Sequence, residues 1–265
     1  MSIGFIGCGN MAGAILSGLL SSKTVKENEI NVFDIYSPAV SKLKSQYEIN
    51  ACVNENDVVN KSDIVILAVK PNVLLSVLEK ISKAVKERNP LLISIAAGKT
   101  TDYIAEPLSS KTRIIRVMPN INAKVGEAIC AYTANAYATD EDKALTEKIF
   151  ASVGEVIYLE ESYFPLFGVI GGCTPALAYM FIDELARAGV KHGMKKDIAL
   201  KVAAQAVLGS AKMILESEEH PYALIDKVCS PGGTTIEAVT SLQSDGFEAA
   251  IHNAVDKAVE KDKLL

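Results

Sequence analysis

The first twenty-two residues, MSIGFIGCGNMAGAILSGLLSS, contain no charged side chain. Such a stretch is typical of a signal peptide, a membrane anchor, or the opening strand and helix of an α/β domain. A secretory signal begins with a positive charge, whereas the first base here, Lys23, follows the apolar run. A membrane helix needs about twenty mostly apolar residues, and this run is interrupted by Gly4, Gly7, Gly9, Asn10, Gly13 and Gly18. We therefore predict neither export nor a membrane anchor.

The run divides better into a strand, a tight turn and a helix. Residues 3–6 are apolar and strand-like, and residues 11–20 carry apolar side chains at helical spacing. The turn between them has the pattern G-x-G-x-x-A, in which small residues permit the turn, admit a pyrophosphate to the backbone and let the helix pack closely. The free N–H groups at the start of the helix then face the phosphates. The predicted cofactor-binding residues of the turn are Gly7, Gly9, Asn10, Met11 and Ala12.

A second apolar strand, residues 30–33, ends at Asp34, twenty-two residues after Ala12. An acid at about this distance accepts hydrogen bonds from the ribose hydroxyls of NAD; the alternative is a solvated acid at a strand end. Asp34 would repel the 2'-phosphate of NADPH, and residues 35–38 contain no arginine to bind it. The nearest bases are Lys42 and Lys44. The sequence therefore predicts an NAD(P)H site with a preference for NADH.

Further strand patterns alternate with helical patterns, at residues 64–69, 91–96, 114–117 and 156–159. This alternation predicts a parallel sheet covered on both faces, which is an α/β, Rossmann-like, doubly wound domain over residues 1–160. Ligands of such sheets bind beyond the carboxyl ends of the strands. Two segments at these ends supply the other predicted cofactor contacts, which are Ala68, Val69, Lys70, Pro71, Ala96 and Gly98. Lys70 either touches a phosphate or caps the sheet edge.

The pattern changes near residue 160, and residues 161–265 are predicted to form an all-α C-terminal domain. Its helical stretches are residues 175–191, 197–216, 233–243 and 247–260. A second uncharged run, residues 162–182, contains two prolines and three glycines, which we expect to interrupt any membrane helix. Small apolar residues form a stripe on the second stretch. We expect these helices to complete their core against another copy, as a homodimer or higher homo-oligomer.

Composition excludes several other functions. The formal charge of −5 argues against a nucleic-acid partner, which needs a basic face. The five cysteines include no C-x-x-C pair, and the three histidines have no partner at ligand spacing, so we predict no metal site. We interpret the cysteines as small buried residues of a protein in a reducing compartment. We therefore expect the protein to be cytoplasmic.

The most specific stretch is Ser230-Pro231-Gly232-Gly233-Thr234-Thr235. It reads as a proline–glycine turn that enters a helix, where hydroxyls and free backbone N–H groups converge. Such a place suits a carboxylate. An ordinary helix N-cap is the alternative interpretation.

In this setting the stretch closely resembles the signature of the pyrroline-5-carboxylate reductase family, and the resemblance covers essentially the whole chain. Residues 4–12 resemble that family's cofactor turn, and residues 68–71, 94–98 and 116–120 resemble its rim segments, which adds Asn120 to the cofactor contacts. Two departures exist. Ile121-Asn122 stands where the family usually has Thr-Pro, and residues 172–177 read Gly-Cys-Thr-Pro-Ala-Leu where it usually has Gly-Ser-Gly-Pro-Ala-Tyr.

The resemblance implies hydride transfer from NAD(P)H to the C=N carbon of 1-pyrroline-5-carboxylate, a small-molecule substrate, with L-proline as product. It implies that Ser230 and the backbone N–H groups of Gly232, Gly233, Thr234 and Thr235 bind the substrate carboxylate. Thr235 would also hydrogen-bond the ring nitrogen as the catalytic residue. Glu218 matches a family acid that orients this threonine; otherwise it is an exposed carboxylate at a helix end.

Two kinds of function compete with this one. An imine reductase or hydroxyacid dehydrogenase can share the two-domain outline, but the latter class places a lysine on the first helix after the sheet domain, and residues 175–188 contain none. A nucleotide-binding regulatory protein would share the glycine turn and the sheet. The proline–glycine loop would then have no purpose.

Overall fold

One eight-stranded sheet organises the first part of the chain. The computed structural model describes residues 1–108 and 111–262, in which the strand order is β3-β2-β1-β4-β5-β6-β7-β8. Chain order reverses between β1 and β4, so a crevice opens at the carboxyl ends of these two strands. The strands are β1 (Ile3–Ile6), β2 (Ile30–Phe33), β3 (Asn50–Ala51), β4 (Ile64–Leu67), β5 (Leu91–Ser94), β6 (Ile114–Met118), β7 (Ala128–Ala134) and β8 (Gly154–Tyr158).

Helices cover both faces of this sheet. They are α1 (Asn10–Ser21), α2 (Ser37–Lys44), α3 (Glu55–Lys61), α4 (Leu74–Arg88), α5 (Thr101–Ala105), α6 (Asp140–Phe150) and α7 (Phe164–Phe167). Successive side chains of a strand point to opposite faces. Phe5 therefore packs in one hydrophobic core with α1 and α6, and Ile6 packs in a second core with α3 and α4. The predicted Rossmann-like, doubly wound domain is confirmed.

Two strands of the sheet, β3 and β7, are absent from the sequence prediction. β7 runs antiparallel to β6, whereas all the other pairs of the described sheet are parallel. The strands predicted at residues 64–69 and 91–96 end two residues earlier, at Leu67 and Ser94. In both places the apolar pattern continues past the sheet, because the chain remains partly buried where it enters the crevice.

Residues 161–172 belong to the first unit, although the sequence predicts a boundary at residue 160. Two polar side chains contact residues 161–172, one on β6 and one just after it. The Arg116 guanidinium lies 3.0 Å from the Glu161 carboxylate and 4.3 Å from the centroid of the buried Phe164 ring. Asn120 Nδ2 donates to the Gly171 carbonyl at 2.9 Å. A buried arginine needs such partners, and its pairing attaches the segment to the sheet.

The uncharged run 162–182 is helical throughout, so the prediction that prolines and glycines interrupt it is wrong. Pro165 and Pro175 stand in the first turns of α7 and of the next helix, where a missing N–H costs no hydrogen bond. A π-helical segment, Gly168–Cys173, joins the two. Two helical stretches, Glu161–Lys191 and Lys196–Glu216, are each long and apolar enough to span a membrane, by length and composition alone.

The second unit begins at Cys173 and is helical. Within the described residues it contains α8 (Thr174–Lys191), α9 (Lys196–Glu216), α10 (Pro221–Val228), α11 (Thr234–Ser244) and α12 (Phe247–Asp262). α8 and α9 pack closely, since a Cβ on Gly189 would lie 3.2 Å from that of Ala199. The buried side chains of this described part are Pro175, Ala186, Ala199 and Ala203. Large apolar side chains such as Phe181 and Met213 stay exposed.

Two glycines of α1 differ in what surrounds them, and this difference gives a test of the packing. A Cβ on Gly18 would lie 2.6 Å from the Ser152 carbonyl oxygen, whereas a Cβ on Gly13 would meet only Leu43, at 3.8 Å. We expect Gly18→Ala to lower the free energy of unfolding by about 1–3 kcal/mol. Gly13→Ala should raise it by up to about 1 kcal/mol, because alanine favours the helix. Urea unfolding followed by circular dichroism measures both, and equal effects would contradict the packing.

Candidate functional site

The turn after β1 is built around Gly7, which lies where the chain order reverses. Its φ of +99° is in the region that favours glycine, and a Cβ there would lie 2.6 Å from the Ala68 carbonyl oxygen. Gly7 N donates to Phe33 O and Ala68 N donates to Ile6 O, both at 2.8 Å. The first glycine of the motif therefore holds together the carboxyl ends of β1, β2 and β4.

The start of α1 is open to a ligand. Gly9 is its N-cap residue and supplies no side-chain cap, and the first helical bond runs from Gly13 N to Gly9 O. A Cβ on Gly9 would have no described protein atom within 4 Å. Backbone N–H groups and the positive end of a helix dipole therefore meet unfilled space, which fits a pyrophosphate. Asn10 is exposed at this end and Ala12 is buried beneath it.

Asp34 is held in a fixed position beside this turn. Its Oδ2 accepts a hydrogen bond from Cys8 N at 2.7 Å, and its Oδ1 accepts one from Tyr36 N at 2.8 Å. Burial and then the Asp34 charge raise the pKa of the Cys8 thiol to about 12, so this cysteine stays protonated. The structure thus places a carboxylate at the end of β2, next to the glycine turn.

A cavity of about 160 Å³ opens on one side of Asp34, and we name it the Asp34 cavity. Its size suits one part of a dinucleotide, since sites for whole small molecules have about 300–1,000 Å³. The lining residues are Ile6, Gly7, Phe33, Asp34, Ile35, Glu55, Val69, Val73, Ser76, Val77 and Lys80. A larger cavity of about 730 Å³ lies between α1 and α2, and Lys42 lines that one.

The other predicted cofactor contacts lie at or near carboxyl ends of strands. Ala68 and Val69 are half-buried next to Gly7, Lys70 is exposed, and Pro71 follows it. Beyond β5, Ala96 is buried, and Gly98 has a φ of +71° with no atom within 4 Å of a Cβ position. These residues stay predicted contacts.

The side chain of Asn120 has a structural role that the sequence does not indicate. It is buried, its Oδ1 caps the 3₁₀ turn Ile121–Val125 through Asn122 N, and its Nδ2 donates to the Gly171 carbonyl. The predicted cofactor contact of Asn120 stays a prediction.

In the helical unit, the proline–glycine loop forms the start of α11. Gly232 has a φ of +65°, and Gly233 N donates to the Ser230 carbonyl at 3.0 Å. A Cβ on Gly233 would lie 2.4 Å from Ser230 Oγ, so this turn needs glycine at both positions. Gly233 is the N-cap residue of α11 and supplies no side-chain cap. The exposed Ser230 hydroxyl and the first N–H groups of α11 thus stand at a helix end that favours an anion.

Thr235 lines a cavity of about 460 Å³ between α9, α10 and α11. Helix α10 was missed by the sequence analysis, although His220 before Pro221 has the pattern of a helix start and its Nδ1 accepts from Tyr222 N. Glu218 is exposed in the connection between α9 and α10. Its orienting role toward Thr235 stays a prediction.

Two family models match different parts of the chain. Residues 161–265 match the family model of pyrroline-5-carboxylate reductase dimerisation, and residues 2–98 match that of an NADP oxidoreductase, coenzyme F420-dependent. A pyrroline-5-carboxylate reductase of Escherichia coli is 46% identical over 99% of this chain and 97% of its own length.

Two solved structures are also similar. One, a pyrroline-5-carboxylate reductase from Coxiella burnetii, has a TM-score of 0.93 at 32% identity and covers 99% of this chain and 97% of its own. The other, a pyrroline carboxylate reductase from Plasmodium falciparum with NADP bound, has a TM-score of 0.88 at 31% identity and covers 100% and 97%.

Proposed function

We propose the reaction of this chain from its family, because the chain belongs to the pyrroline-5-carboxylate reductase family. The protein is an NAD(P)H-dependent oxidoreductase that acts on a C=N bond. It reduces 1-pyrroline-5-carboxylate to L-proline, the last step of proline biosynthesis. The observation that carries the proposal is the Ser230–Thr235 loop, since a glycine turn and a sheet alone would serve any nucleotide-binding protein.

In this proposal, residues of the first unit bind the cofactor and residues of the second unit bind the substrate. The bound reduced nicotinamide supplies the hydride. The turn at Gly7 and Gly9 binds the pyrophosphate through the N–H groups of α1, and Asp34 orients the ribose. Ser230 and the N–H groups at the start of α11 bind the substrate carboxylate. A cyclic imine is already electrophilic, so alignment and exclusion of water account for most of the catalysis.

Thr235 supplies the hydroxyl beside the reacting nitrogen. The ring nitrogen is protonated before the transfer, so hydride addition to the carbon moves the C=N electron pair onto nitrogen and leaves a neutral tetrahedral amine. The hydroxyl accepts a hydrogen bond from the iminium N–H before the transfer, which orients the ring, and donates one to the amine lone pair afterwards. Glu218 orients this hydroxyl in the proposal.

NADH is the preferred cofactor in our proposal, because Asp34 stands where a 2'-phosphate would be. Two backbone amides hold its carboxylate, so it cannot turn away without losing both hydrogen bonds. A ribose 2'-hydroxyl donates to such a group, whereas a phosphate dianion is repelled.

The preference is measured directly with the unmodified enzyme. We expect the KM for NADH to be lower than the KM for NADPH, with 1-pyrroline-5-carboxylate as substrate and absorbance of the reduced cofactor as the readout. The difference should narrow at high salt, because the repulsion is electrostatic. A lower KM for NADPH would contradict the role of Asp34. Absence of any cofactor oxidation would contradict the proposed reaction.

A second copy of the chain is the partner that we propose for the helical unit. Many apolar side chains on α8 and α9 are exposed, including Phe181, Leu200 and Met213, and soluble monomers rarely expose large apolar patches. The region matched by the dimerisation model includes both helices. Covering by a partner copy explains their apolar composition without a membrane, and a soluble cytoplasmic enzyme needs this covering.

Light scattering of the purified protein tests the oligomeric state. One chain has a mass of 28.3 kDa, and we expect at least twice this mass at micromolar concentration without detergent, because the exposed faces of α8 and α9 pair. A monomer mass would contradict the proposal, and so would a requirement for detergent to keep the protein in solution.

Replacement of Thr235 by valine keeps the volume and removes the hydroxyl. We expect Thr235→Val to lower kcat/KM for 1-pyrroline-5-carboxylate by about 10²–10³-fold, as for loss of one preorganised donor. The Kd for NADH should change little. Thr240→Val is the matched control on the same helix, because the Thr240 hydroxyl donates to the Ile236 carbonyl of its own helix. Near-full activity of Thr235→Val would contradict the role of the Thr235 hydroxyl and would mean that the loop acts through its backbone groups.

A further inference from the structure

The Asp34 cavity contains a charge arrangement that the sequence does not indicate. Of the described residues that line it, three carry charge: Asp34, Glu55 and Lys80. The chain brings them from β2, α3 and α4, and Glu55 and Lys80 are twenty-five positions apart. One side chain that lines this cavity, Lys80, is therefore cationic. The bases nearest to Asp34 in sequence, Lys42 and Lys44, are on α2 instead.

The charge of Lys80 is paired with that of a carboxylate at this cavity. Its Nζ lies 3.1 Å from Glu55 Oε1, and the Glu55 side chain is only 14% exposed. Glu55 also stands in the first turn of α3, where a negative charge is favourable. The Lys80 side chain is 56% exposed, so its length would let it reach other positions at this cavity if Glu55 released it.

We propose that Glu55 is a second cofactor-specificity residue and that it acts by holding Lys80. This inference rests on the proposed function, in which the Asp34 cavity binds the adenosine end of the cofactor. Discrimination against a 2'-phosphate then has two parts. Asp34 repels the phosphate, and Glu55 neutralises the one described lining cation that could attract it. Loss of Asp34 alone removes the repulsion but supplies no attraction.

The test uses two probes that differ only in the 2'-phosphate, which are adenosine 5'-monophosphate and adenosine 2',5'-bisphosphate. Isothermal titration calorimetry gives the Kd of each for the wild type, Asp34→Ser, Asp34→Ser/Lys80→Met, Asp34→Ser/Glu55→Gln and the Asp34→Ser/Glu55→Gln double variant with Lys80→Met. Lys83→Met in the double variant is the matched control, because Lys83 is on the same helix, 88% exposed and outside the cavity lining.

We expect Glu55→Gln, added to Asp34→Ser, to tighten binding of the bisphosphate by about fivefold, the size of a partly exposed charge pair. Binding of the monophosphate should not change. Lys80→Met should remove the gain and Lys83→Met should keep it. Lys80→Met added to Asp34→Ser alone should have little effect, because Glu55 still holds Lys80 there. High salt should reduce the gain.

The inference is overturned if Glu55→Gln gives no gain, or if the gain survives Lys80→Met. If Glu55→Gln lowers the melting temperature, Glu55→Ala replaces it with the same expectations, because alanine suits a helix. Failure of the proposed function is recognised separately, by a wild type that binds neither NADH nor adenosine 5'-monophosphate or that does not turn over 1-pyrroline-5-carboxylate. A wild type that does both, with no Lys80-dependent gain, refutes the role of Glu55 alone.

Discussion

The rest of the structure depends on the close approach of two backbones at Gly7 and Ala68. A side chain at Gly7 would collide with the Ala68 carbonyl, so a left-handed glycine is needed where β1 ends. This contact lies at the point where the strand order reverses, and it sets the direction in which α1 leaves the sheet. The uncapped start of α1, the carboxylate of Asp34 and the rim after β4 are neighbours because of it.

Asp34 shows how one residue serves both the fold and the site. Its two hydrogen bonds to backbone amides join the end of β2 to the glycine turn. The same bonds fix the orientation of its charge. An acid that also stabilises the turn has little freedom to move aside for a different cofactor, and our proposal on selectivity therefore extends from Asp34 to the nearby charges of Glu55 and Lys80.

The segment 161–172 is held by one residue on β6 and one residue just after that strand. Arg116 binds Glu161, and Asn120 binds Gly171. Glu161 also accepts hydrogen bonds from the backbone and hydroxyl of Thr101, so three elements share one carboxylate. Segment 161–172 is therefore fixed by polar contacts within the first unit, with Phe164 buried beneath the Arg116 guanidinium.

The sequence by itself determined what depends on local spacing. The apolar run and G-x-G-x-x-A specified strand, turn and helix at residues 3–21, and distance along the chain identified Asp34, because a strand–turn–helix unit has a nearly constant length. The Ser230–Thr235 loop identified the family differently, by its resemblance to the family signature, since its spacing alone fits an ordinary helix N-cap equally well. The candidate sites on these segments are thus visible in the sequence, and the roles of Thr235 and Glu218 stay predictions.

Only the tertiary structure decided what depends on contacts between distant segments. Local pattern does not give the direction of β7, since a strand has the same period of two in parallel and antiparallel sheets. It also does not show that Pro165 opens a helix instead of ending one, or that Asn120 bonds Gly171. The pairing of Glu55 with Lys80 has the same cause: α3 and α4 come together by packing in one core, which no spacing along the chain encodes.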